Sequence, residues 1–175
     1  MPKDFTGVRP LGVVTRHPAD WFSDSLYVAG WQELDQPSGS GEIYFAVALF
    51  NNDQGGNVLR VYGANSLSEG GGGCNMYFVH GTTGTLKQTA RPIRPDFPIP
   101  NVSVYYQFQQ VSTGSPNPFA FGDLYGNVSS SGFDSQLTVS PFPLFIVPVG
   151  WSLVATNPSS SFLNGFFWWF QLTPQ

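Results

Sequence analysis

The chain has 175 residues, of which 16% are aromatic and only 10% charged, with seven Lys and Arg against eleven Asp and Glu. That balance excludes a disordered chain, which needs low hydrophobicity and high charge. It equally excludes a helical bundle, which needs Lys, Glu, Ala and Leu at helical spacing, and a nucleic-acid binder, which needs a basic face. One cysteine cannot build an internal disulfide scaffold, and what remains is a single compact domain with few surface charges, as expected where partners cover part of it.

Residues 1–25 read as an extended N-terminal arm. Pro2, Pro10 and Pro18 recur every eight residues with Gly7 and Gly12 between them, a density of breakers that no amphipathic period survives. The arm still carries Phe5, Val8, Trp21 and Phe22, apolar enough to pack on its own sheet or on a neighbour. The N-terminus lacks the apolar core of a secretory signal, so the expectation is a protein made in the cytosol and soluble at first. No apolar run approaches the roughly 20 residues of a membrane helix, so neither membrane nor nucleic acid is expected as a partner.

From Leu26 the pattern becomes that of strands, and 26–175 reads as one β-sandwich domain. Leu26–Trp31 is a short aromatic strand. Glu42–Phe50 is almost continuously apolar, as in a strand buried on both faces. After the Asn51–Asn57 turn, Val58–Gly63 returns as the second arm of a hairpin. Ser66–Gly73 is expected as a flexible loop and Cys74–His80 as a strand. Gly81–Thr85 is a turn, and Thr89–Pro100, with four prolines, is an extended, largely unpaired connection.

Val102–Val111 alternates, with Val102, Val104, Tyr106 and Phe108 on one face. Phe119–Phe121 is a candidate short strand, Gly126–Gly132 a Ser-rich loop, and Phe133–Ser140 a candidate edge strand. Leu144–Val147, Trp151–Thr156 and Phe162–Leu172 complete the set. About eight to ten short strands between Gly, Pro, Asn and Ser turns predict an all-β, antiparallel fold, a sandwich or a barrel.

The chemistry-bearing residues are sparse. His80, at a strand end, reads as a solvent-facing histidine rather than a base. Cys74 follows four glycines but begins an apolar strand, where a small buried hydrophobe is expected. The glycine run lacks the Lys and Ser/Thr of a phosphate loop. Asp53 among Asn51, Asn52 and Asn57 is an oxygen-rich turn, read as hairpin chemistry rather than a calcium site. Glu42, Asp123 and His80 are what a glycan hydrolase on this scaffold would have to use. No cofactor is expected.

The last strand carries the strongest signal. In Phe166-Phe167-Trp168-Trp169-Phe170, strand alternation sends Phe166, Trp168 and Phe170 one way and Phe167 and Trp169 the other. A strand aromatic on both faces needs a second cover. Phe167, Trp168, Trp169, Trp31 and Trp151, with the four arm residues, are therefore the interface candidates.

Pro148-Val149-Gly150 followed by Trp151–Thr156, Asn157 and the aromatic last strand resembles the C-terminal hairpin of small β-sandwich virion proteins of tailed bacteriophages. Ala48–Asn52 with Gly55–Val61 is similar to their central hairpin; the Trp168-Trp169 pair stands where those proteins more often carry one Trp. The resemblance implies a jelly roll, a homotrimer and a place on the virion, as a decoration (cement) protein over the major capsid protein. The competing expectation is a tail or fibre module that binds a host glycan, with Trp31 and Trp151 as stacking platforms; an enzyme ranks last.

Overall fold

The structure is a computed structural model, and it describes residues 26–32, 41–68, 74–121, 126–128, 138–139, 142–157 and 163–175. The proposed arm, with Phe5, Val8, Trp21 and Phe22, lies outside the described residues. Twelve strands follow in order: β1 (Tyr27–Gln32), β2 (Glu42–Asn51), β3 (Asn57–Ser68), β4 (Cys74–His80), β5 (Thr85–Thr89), β6 (Arg91–Pro92), β7 (Val102–Val111), β8 (Gly126–Val128), β9 (Thr138–Val139), β10 (Phe145–Val147), β11 (Trp151–Thr156) and β12 (Leu163–Pro174).

They form two antiparallel sheets. The first runs β10-β3-β12-β1-β6, with β9 also on β3; the second runs β5-β7-β2-β11-β4-β8. The pairings nest: β1 with β12, β2 with β11, β3 with β10 and β4 with β8. A long hairpin rolled across two layers gives this order, the wrapping of a jelly roll. The expected all-β sandwich is therefore the observed architecture.

Alternation fills the space between the sheets. Ile43, Phe45, Val47 and Leu49 of β2, Val102, Val104 and Tyr106 of β7, and Phe166, Trp168 and Phe170 of β12 all belong to one core. The other face of β2 is buried too, as its continuous apolar run predicted. Tyr44, Ala46 and Ala48 meet Val154 and Phe119, with Phe121 and Tyr105 packed alongside. The 112–121 segment supplies that cover. Asn117 pins it: its Nδ2 donates to Asn157 O at 2.7 Å, and its Oδ1 accepts from Phe119 N at 2.8 Å.

Several expectations need correction. Phe119–Phe121 is a turn segment, not a strand; its aromatics cover β2 instead of joining a sheet. Gly126–Val128, expected in a Ser-rich loop, pairs with β4. β5 includes Thr85 and was missed altogether, because all five of its residues are exposed and show no apolar period. Within the proline-rich connection, Arg91 and Pro92 pair with β1, and Ala90 N donates to Val102 O at 2.8 Å. β3 runs on to Ser68, into the expected loop, and the expected β2–β3 hairpin is instead a crossover between the sheets: β2 pairs with β7 and β11, β3 with β10 and β12.

At one end three turns are tied together. Gly81 N donates to Gly150 O at 2.7 Å, and Gly150 N donates to Asn51 O at 2.8 Å. Gly150 has φ +79°, a conformation that favours glycine after Pro148.

Candidate functional site

Cys74, Glu42 and Asp53 are engaged in holding the fold. Cys74 is fully buried in the core. Glu42 accepts from Tyr44 OH at 3.0 Å and from Gly114 N at 3.2 Å. Asp53 Oδ2 accepts from Asn57 N and Nδ2, both at 2.9 Å, closing the β2–β3 turn. His80 is exposed and stands edge-on to Trp151, its partner across β4 and β11, with centroids 5.3 Å apart. Asp123 lies outside the described residues. Among the described residues no group of three or more His, Cys, Asp or Glu is placed to hold a metal ion.

The interface candidates separate by alternation. Trp168 is fully buried, its ring tilted against Phe166 with centroids 4.5 Å apart, so it is a core residue and not an interface residue. The correction follows from strand geometry: its parity is that of Phe166 and Phe170, which point between the sheets. Phe167 and Trp169, of opposite parity, lie half-buried on the outer face of the first sheet. Trp31 sits in β1 opposite Phe166, and its side chain is outside the description. Trp151 is exposed at a turn, beside the exposed Val149.

Register assembles the rest of that outer face. Phe167 stands between Gly30 of β1 and Asn65 of β3, and Trp169 between Val28 and Gly63. A Cβ at Gly30 would run into the Phe167 ring, so the ring lies flat across the glycine. β3 carries one extra residue, Tyr62, where the register shifts between Trp169 and Phe170. Beyond β3, Leu144 and Ile146 point outward while Phe145 and Val147 pack inward. A row of apolar and aromatic groups thus crosses four neighbouring strands: Ile146 and Leu144, Tyr62, Trp169 and Phe167, then Val28.

Its polar margin is thin. Arg60 Nε donates to Thr173 Oγ1 at 2.9 Å, Gln171 stands opposite Arg60, and Arg91 stands opposite Val28. Asn65 Oδ1, beside Phe167, is buried with no hydrogen-bond partner among the described residues. Sequence reading found Phe167 and Trp169 but not their neighbours. The Leu144/Ile146 against Phe145/Val147 alternation was readable, and so was Tyr62, which alternates with the apolar Leu59 and Val61.

The outer face of the first sheet has an aromatic centre and few charges, the composition of an interface core. Comparison with protein-family descriptions, with curated proteins and with solved structures finds no match for this chain.

Proposed function

We propose that this chain is a structural virion protein, a homotrimer that decorates a phage head by lying over its major capsid protein. The observation that carries the reading is the outer face of the first sheet, with Phe167, Trp169, Tyr62, Val28, Leu144 and Ile146 in one row. Burying such a face contributes roughly 25 cal/mol per Å² of apolar surface, and a stable interface takes about 800 Å² from each partner. The low overall charge and the sequence likeness of residues 48–61 and 148–172 to phage β-sandwich proteins support the same reading. The structural engagement of Cys74, Glu42 and Asp53 supports a non-catalytic role.

Solution mass measurement tests it. The expected species is a trimer that co-sediments with capsid shells. Trp169→Glu and Ile146→Glu are expected to give folded monomers that leave the shells bare. A wild-type monomer that ignores shells overturns the proposal. Copy number separates head from tail: hundreds per particle mark a shell component, and a few to tens mark the tail or fibre module of the competing reading. That second reading draws on one observation, the exposed Trp151 beside His80. Glycan-dependent quenching of tryptophan fluorescence, lost in Trp151→Ala, is its test.

A further inference from the structure

Among the described residues β5 ends the second sheet, and the β5–β7 pair holds a feature that lies apart from the proposed interface. Along β7, Val102, Val104 and Tyr106 face the core, yet Phe108, the next residue of that parity, is 51% exposed. The cause is register: β5 begins at Thr85, opposite Tyr106, so no β5 residue stands beside Phe108. The ring is nonetheless held in place, 6.4 Å from Phe45 and 6.2 Å from Tyr106, which themselves stack at 5.8 Å.

Polar groups surround it. Lys87 Nζ lies 5.1 Å from the centroid of the Tyr106 ring. Gln107 Nε2 donates to Thr83 Oγ1 at 2.7 Å, which fixes the amide. The turn before β5 is drawn tight against β7 at Gly84, which has φ +94° and would place a Cβ 2.5 Å from Tyr106 O. Thr85, Lys87, Tyr106, Gln107 and Phe108 together line an open depression of about 270 Å³.

We infer that this depression is a binding site for an acidic saccharide. A braced, half-exposed aromatic ring offers a platform for the C–H face of a pyranose. Lys87 supplies the one charge among the lining residues, and that charge selects a carboxylate. Thr85 supplies a neutral hydroxyl for a ring hydroxyl. A purely apolar ligand makes no use of the Lys87 charge, and a phosphate makes no use of the ring. The sugar ring stacks on Phe108 with its carboxylate at Lys87.

The test is titration of the full chain with a galacturonate disaccharide and, in parallel, with neutral lactose. Saturable binding of the disaccharide is expected, with lactose weaker by about tenfold, the cost of one charge-assisted contact. Lys87→Gln changes an exposed side chain and is expected to leave the fold intact; it is expected to bring the acidic sugar down to the affinity of lactose and leave lactose unchanged. Phe108→Ala, checked for an unaltered melting temperature, is expected to abolish both. No saturable binding of the acidic disaccharide, or equal binding by wild type and Lys87→Gln, overturns the inference. Both variants leave the outer face of the first sheet untouched, so oligomeric state reads separately and a failure here is distinct from a failure of the assembly reading.

Discussion

At the scale of single residues, two buried asparagines do the work of missing backbone. β11 pairs with β2 as far as Thr156 opposite Ala46. The next residue, Asn157, continues the ladder with its side chain: Oδ1 accepts from Phe45 N at 2.7 Å, and Nδ2 donates to Ile43 O at 3.1 Å. Asn51 does the same between the sheets, donating to Asn57 O at 2.9 Å and Val147 O at 3.0 Å. Each unmatched buried group costs about 1–3 kcal/mol. Asn157→Ala orphans two and is expected to lose roughly 2–4 kcal/mol, read from the denaturant midpoint. Asn157→Asp keeps the shape but sets a carboxylate against Ile43 O, so it should be no milder at neutral pH. Tyrosine ionisation adds a pH limit. Burial, then the Asp53 charge, raises the Tyr27 pKa above 10.0. Burial, then the bond to Glu42 and its charge, raises that of Tyr44. A raised folded-state value means stability is intact below pH 10 and is lost as pH climbs through the folded pKa. Urea midpoints should fall in that window, and Tyr27→Phe should flatten the fall.

At the scale of elements, β12 shows how one strand serves two surfaces. Its even positions 166, 168 and 170 are fully buried, and its odd positions 167 and 169 lie on the outer face. The neighbouring glycine is the device that lets an outward aromatic lie down. Gly30→Ala puts a methyl group into the Phe167 ring and against Phe166 O, 2.7 Å away. Overpacking of this kind costs about 1–3 kcal/mol. The double variant Gly30→Ala with Phe167→Ala should recover the ring-clash part, and a double-mutant cycle on thermal unfolding measures the coupling. The two faces of β12 were legible in the sequence because alternation is a local rule. The continuous run of β2 was legible for the same reason. β5 was not: its strand character comes from pairing with β7, and no residue of it is buried. Nor was the pocket at Phe108, since its exposure depends on where a neighbouring strand begins, which is a fact of register and not of composition.

At the scale of the whole molecule, the rolled topology gives the outer face of the first sheet its extent, because it sets the first and last strands side by side. β12 lies between β1 and β3, so residues from the start, middle and end of the domain share one outer face. A chain with 18 charged residues among 175 places only Arg60 and Arg91 on that face among the described residues, at its margin. Low charge is thus concentrated where a partner would sit, and adjacent tryptophans of one strand should behave oppositely. Trp168→Ala removes a fully buried indole and is expected to cost about 3–5 kcal/mol, seen as a lowered melting temperature that does not depend on protein concentration. Trp169→Ala removes outer-face area and is expected to leave the melting of the dilute chain nearly unchanged while lowering the mass measured by light scattering. Equal effects of the two substitutions on stability, with no effect of either on mass, would mean that the outer face is a second structural surface and not a contact between copies.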